Sequence, residues 1–211
     1  MKPAYYIGLD LSLRATGFVA LDPFGVGLDS RLIKSNEHKE ARLVDLIDRL
    51  DEAIQCLCGV NLRPAPVVAI EHYAMGAKFQ LAQMGEWGGV VREYLYRRGI
   101  AFIEVAPTTL KLFATGKGNS KGKVGVALAV MRKYGHEFDD DNLADACVLA
   151  HMARSMVTGL GGNAAGPASL TEYERRALEK PYKSAHFQKN FPCAPNNARP
   201  AAKKLPKKRV R

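Results

Sequence analysis

Residues 4–33, AYYIGLDLSLRATGFVALDPFGVGLDSRLI, open the chain with three β-type runs and one acid out of place. Ala4–Leu11 sets Tyr, Ile and Leu around Asp10 and reads as a strand. Thr16–Leu21 reads as a second strand. Asp22-Pro23-Phe24-Gly25 is turn chemistry, and Gly27–Ile33 gives a third strand, so two hairpins begin the fold. Asp10 is the anomaly, because an acid inside an apolar strand costs desolvation unless something pairs with it. Gly8 lies two residues earlier on the same face and leaves room beside the carboxylate, and Ser12 continues that face. The plainer explanations of Asp10 are a salt bridge to a basic residue or a strand that ends at Leu9.

Downstream, the period changes. Ser35 or Asn36 can cap a helix running to about Cys58, with Leu43, Leu46, Ile47, Leu50, Ala53, Ile54 and Leu57 at three- and four-residue spacing. Pro64 and Pro66 end it, and Pro66–Glu71 is a short β-branched run of the kind buried in parallel sheets. Phe79–Arg98 is helical, Ile100–Val105 is another buried strand, and Pro107 opens a short helix to about Ala114. Gly116–Lys123 is a glycine–lysine loop, followed by helices over Val124–Tyr134 and Leu143–Met156. Three hairpin strands and two strands reached by helical crossovers make an α/β fold, a mixed five-stranded sheet flanked by helices. That is the strand order of the ribonuclease H-like fold.

Two further acids share the oddity of Asp10. Glu71 closes PVVAIE at a strand end, where it can simply reach water, yet sites in open α/β sheets form beyond the carboxyl ends of strands. If the first and fourth strands are neighbours they lie about 4.8 Å apart, close enough for Asp10 and Glu71 to share a metal. Asp145 lies in DDDNLADACVLAHMA. Helix-start chemistry accounts for Asp139, Asp140 and Asp141, but less well for Asp145, which sits among buried-type residues. Asp141 or Asn142 shares a helix face with it. Carboxylates that converge without enough cations repel, and hard divalent ions with oxygen ligands resolve the conflict. Two such ions about 3.5–4 Å apart suit phosphodiester chemistry.

The chain has 211 residues, 31 Lys+Arg and 21 Asp+Glu. Residues 171–211 hold 12 of the basic and 3 of the acidic residues, so nearly all of the +10 excess lies in the last fifth. A near-neutral globule with a basic end points to a polyanion, nucleic acid first, or to a tail that serves solubility. From Gly159 onward the composition turns to Gly, Ala, Pro, Asn and Lys. Residues 1–158 are therefore read as the folded domain, and 159–211 as linker and flexible basic tail with a short helix at Thr171–Leu178. Cys56, Cys58, Cys147 and Cys193 form no zinc or redox pattern. No run reaches the ~18 apolar residues of a membrane span, and the N-terminus lacks signal-peptide character, so a cytosolic protein is expected.

IGLDLSLRATG (7–17), VAIEHYAMGAKFQLAQMGE (68–86), VAPTTLKLFATGKGNSKG (105–122) and DDNLADACVLAHMAR (140–154) together resemble the RuvC family of Holliday-junction resolvases, and most closely its bacteriophage members. The resemblance covers about residues 4–156. It implies a homodimer with a ribonuclease H-like fold that nicks two strands of a four-way DNA junction, using Mg²⁺ or Mn²⁺, two ions per site. Implied metal ligands are Asp10, Glu71 and Asp145. The family's fourth ligand, an Asp or His three residues before the last, falls on Asn142, so either Asn142 or Asp141 would complete the set. The family's loop lysine falls on Gly122, flanked by Lys121 and Lys123, either of which would supply charge near the scissile phosphate. Ser12, Tyr73, Lys78, Lys117, Lys121 and Lys123 are the expected DNA contacts in the domain. Lys203, Lys204, Lys207, Lys208 and Arg209 are those of the tail. His72, His151 and Trp87 read as structural.

Other functions stay open at this point. One is a broader debranching nuclease acting on forks and flaps, and another a catalytically inactive protein that binds branched DNA, for which Asn142 in place of an acid is the motive. An ATPase or sugar kinase shares the opening hairpins but needs a second such domain, for which 211 residues leave no space, so no nucleotide cofactor is expected.

Overall fold

The computed structural model describes residues 5–72, 81–118, 124–163 and 166–192. Its centre is a mixed sheet. Strands β1 (Tyr6–Asp10), β2 (Thr16–Leu21) and β3 (Gly27–Ile33) form the expected antiparallel hairpins. Helix α1 (Lys39–Cys58) crosses to β4 (Val67–Glu71), and α2 (Leu81–Arg97) crosses to β5 (Ala101–Val105). β4 lies parallel to both β1 and β5. Then come α3 (Pro107–Thr115), α4 (Val124–Tyr134) and α5 (Asp141–Thr158). This is a ribonuclease H-like α/β architecture.

The two-residue period of each strand divides the core into two layers. Ile7, Leu9, Phe18, Val68, Ile70 and Phe102 pack with Leu46, Leu50 and Ile54 of α1 and Trp87, Val91 and Leu95 of α2. Tyr6, Val19, Val67, Ala69 and Ile103 face the other way, onto Phe113, Val130, Cys147 and Ala150 of α3, α4 and α5. Asp10 follows Tyr6 and Gly8 on this second face. α5 is buried from Ala146 through Met156, so its apolar residues run all round it rather than along one stripe.

The sheet has six strands rather than five. β8 (Tyr182–Lys183) pairs antiparallel with the outer edge of β5, matching Ile103 to Lys183 and Glu104 to Tyr182. The linker expected from 159 is not observed over the described residues. β6 (Leu160–Asn163) and β7 (Gly166–Ser169) pair antiparallel, α6 (Glu172–Leu178) follows, and α7 (Ala185–Asn190) comes after β8. GLGGNAAGPAS gives no hydrophobic alternation, because this hairpin is held by backbone pairing and by Arg154, whose guanidinium donates to the Gly161 carbonyl at 3.2 Å. Phe187, Ala177 and Leu178 are fully or nearly fully buried in the α3–α5 layer, which makes 171–191 part of the core. The short helix expected at Thr171–Leu178 is α6, capped by Thr171. α1 starts at Lys39 with His38 as its cap, later than Ser35 or Asn36.

Candidate metal centre

β1 and β4 run parallel with Leu9 opposite Ile70, so the next residues, Asp10 and Glu71, end adjacent strands at the same sheet edge. Asp145 arrives from α5, and two glycines let it come close. A Cβ on Gly8 would stand 1.8 Å from the Ala146 carbonyl oxygen and 2.5 Å from the Ala150 nitrogen. One on Gly17 would stand 2.1 Å from the Asn142 carbonyl oxygen. The helix backbone thus lies directly on β1 and β2, a separation only residues without side chains allow. Each of Asp10, Glu71 and Asp145 offers a carboxylate oxygen, and these three oxygens lie within 4.8 Å of one another.

Asp10 is 8% exposed, and Glu71 and Asp145 are half-buried. Burial, the hydrogen bond shared with Asp10 and the charges of Asp10 and Asp145 hold the Glu71 carboxyl well above its usual range, while Lys111 pulls it down. Three carboxylates drawn together out of water repel one another, and a hard divalent ion bound among them would relieve that repulsion. The donor set, all carboxylate oxygen, fits Mg²⁺ or Mn²⁺.

The turn after Asp10 is fixed from three sides. Thr16 is fully buried; its hydroxyl donates to the Ser12 carbonyl at 2.9 Å and accepts from the Ser12 N–H at 3.2 Å and from the Trp87 indole N–H at 3.1 Å. The Asn142 side-chain amide donates to the Ala15 carbonyl at 3.0 Å, and its backbone N–H donates to the capping Asp140 carboxylate at 2.8 Å. Asn142 therefore ties the start of α5 to the β1–β2 turn. Asp141, in the first turn of α5, is outside the three-acid group.

Ser12 lies past the end of β1, in the turn, where its hydroxyl accepts from the Arg14 N–H at 3.3 Å. Lys117 is exposed just beyond α3, where its backbone N–H meets the Thr115 hydroxyl at 3.2 Å. Tyr73, Lys78, Lys121, Lys123, Lys203, Lys204, Lys207, Lys208 and Arg209 lie outside the described residues. Trp87 is core, and His151 is buried and stacked on Tyr134 with ring centroids 3.5 Å apart. The His72 backbone N–H donates to the Val105 carbonyl at 2.8 Å. Lys111 was not foreseen. Among the apolar residues of TTLKLFA nothing marks which face of so short a helix meets the acids.

No protein-family model matches the chain, and no curated protein matches it. Among the solved structures that share its fold are two of RuvC. RuvC of Thermus thermophilus in complex with a Holliday-junction substrate superposes with a TM-score of 0.58 at 22% identity, covering 72% of this chain and 94% of that one. A second Thermus thermophilus RuvC structure gives the same TM-score and identity over 77% of this chain and 99% of the other. The sheet and its flanking helices thus share the fold of these RuvC structures, and in this chain three acids gather where β1 and β4 end.

Proposed function

We propose that this protein is a divalent-metal-dependent endonuclease for branched DNA, with four-way junctions as the first substrate. The observation that carries the reading is the convergence of Asp10, Glu71 and Asp145 from three separated parts of the chain. The fold shared with a resolvase solved on its junction substrate supports the same choice.

In this reading Asp10, Glu71 and Asp145 hold the metal, and Asp141 or Asn142 completes the set. Held by these residues, Mg²⁺ or Mn²⁺, two ions in the full site, would supply a water of lowered pKa and positive charge for the phosphate. The chain's own part is positional. Gly8 and Gly17 bring α5 onto the sheet, and Thr16, Trp87 and Asn142 fix the turn that follows Asp10. Lys111 sets a cation beside the acids, and Lys117 with the basic residues of the 119–123 stretch and tail meets DNA phosphates. Paired nicks with 5′-phosphate ends and a homodimeric assembly belong to the same proposal. Among the described residues no helix is long and apolar enough to cross a membrane.

The test is cleavage of a four-way junction, fork, flap and plain duplex in Mg²⁺ and Mn²⁺ by wild type and Asp10→Asn. Wild type should nick the junction, and the variant should bind it uncut. Undiminished cutting by the variant rejects the assignment. A second reading, a binding protein without catalysis, draws on the engagement of the Asn142 amide with Ala15. Junction binding by wild type without cutting in either metal would favour it.

A further inference from the structure

The two RuvC structures are almost wholly covered by the match but leave about a quarter of this chain uncovered. The segment after α5 is about the same share of the sequence. Its short helix α6 makes connections out of proportion to its length. Thr171 and Glu174 form a reciprocal cap: the Thr171 N–H and hydroxyl both donate to one Glu174 oxygen at 2.7 Å. The other oxygen of Glu174, a residue 2% exposed, takes the ammonium of Lys133 on α4. The same ammonium stands 4.8 Å from the ring centre of Phe113 on α3. Beside it, the Tyr173 ring covers Gly116, the left-handed residue that ends α3; a Cβ there would stand 3.5 Å from the ring.

About two turns of helix therefore grip both α3 and α4. These are the two helices that bound the glycine–lysine stretch, and α3 also carries Lys111. Burying an ion pair adds little net stability, but removing either partner leaves the other charge buried without its counter-ion, so this pair ties α6 to α4. Ala177 and Leu178 give the segment its apolar anchor, and the ion pair and the Tyr173 ring are contacts beyond that anchor.

We propose that α6 is a brace for the catalytic edge, in which Tyr173 and Glu174 act as positioning residues that hold α3 and α4 in place for Lys111 and Lys117. The function assigned to this brace rests on the nuclease reading above; the mechanical role does not. Tyr173 is half-buried and outside the buried core, so its removal should leave the fold intact.

The experiment compares full-length wild type, Tyr173→Ala and Tyr173→Phe. Amide hydrogen exchange follows the peptide spanning Leu112–Lys117, and junction cleavage in Mn²⁺ gives kcat and KM separately. In Tyr173→Ala, exchange at Leu112–Lys117 should speed up while α5 keeps its protection. Turnover should fall about tenfold or more with KM unchanged, as expected for a small misplacement of groups at the reacting centre. Tyr173→Phe, which keeps the ring over Gly116, should restore both. Unchanged exchange in Tyr173→Ala overturns the brace, and so does faster exchange with undiminished kcat. If wild type cuts no branched DNA, the nuclease reading fails, and the exchange arm alone still decides whether α6 holds α3.

Discussion

Replacing Gly8 by Ala is the smallest change that should separate the acids. The new methyl would start 1.8 Å from the Ala146 carbonyl oxygen, whereas ordinary contact begins near 3.4 Å, so backbone must move by about 1.6 Å. The obstructing atoms belong to α5 itself, and no side chain can rotate away to relieve them. Overpacking of this kind costs about 1–3 kcal/mol and sometimes more, and the clash of backbone on backbone places Gly8→Ala at the upper end. Asp145 precedes Ala146, so a displaced helix carries its carboxylate away from Asp10. A shift on the order of 1 Å at a reacting centre can cost about a hundredfold in rate. Urea unfolding measures the first effect. Mn²⁺ titration and junction cleavage, at a temperature where the variant is folded, measure the second. Gly85→Ala is the control: it lies within α2 with nothing within 4 Å of the added carbon, and it should be neutral or stabilising by up to about 1 kcal/mol. Wild-type stability and metal affinity in Gly8→Ala would refute the account of how α5 delivers its acid.

Glu71 makes a pH prediction. Its carboxyl binds a proton more tightly in the folded protein than in the unfolded chain, so metal-free stability should fall as pH rises from the ordinary glutamate range through the raised folded value. Glu71→Gln should abolish that slope and stabilise the metal-free protein at neutral pH, while divalent ions protect only the wild type; identical pH–stability curves for the two proteins would contradict this. Thr16→Val leaves the buried Trp87 indole N–H without its acceptor and should cost about 1–3 kcal/mol in urea unfolding. Removal of residues 193–211 takes away seven Lys and Arg. Junction affinity should drop, and the slope of log K against log salt should flatten by about 0.9 for each phosphate the tail no longer neutralises; an unchanged slope would show that the tail does not touch DNA.

What could be read in the sequence was what local chemistry marks. The β1 run carries an acid with a glycine two residues before it, and both features survive in the structure as a carboxylate beside a closely approaching helix. PVVAIE announces a buried parallel strand, while its pairing with β1, only a condition in the sequence, is supplied by the fold. Asp145 stands out because its neighbours are core residues. What could not be read depends on distant contact. Trp87 and Thr16 meet across 71 positions, and Asn142 and Ala15 across 127. The resemblance offers Asn142 or Asp141 as the fourth ligand, and only the fold reveals the Asn142 amide engaged with the turn. The segment after Gly159 looks like linker because its hairpin and its two-residue edge strand are held by backbone hydrogen bonds, which leave no hydrophobic period. Glu174 and Lys133 look like ordinary surface charges, and only the packing of α6 on α3 and α4 buries them as a pair.

The convergence of three acids on a common divalent ion is open to direct observation in crystals grown with Mn²⁺, by anomalous scattering at the manganese edge. The account predicts anomalous density bounded by the carboxylates of Asp10, Glu71 and Asp145, and its loss in Asp10→Asn. Ordered side chains at these three positions with no manganese between them, at Mn²⁺ concentrations that saturate other carboxylate sites, would contradict it.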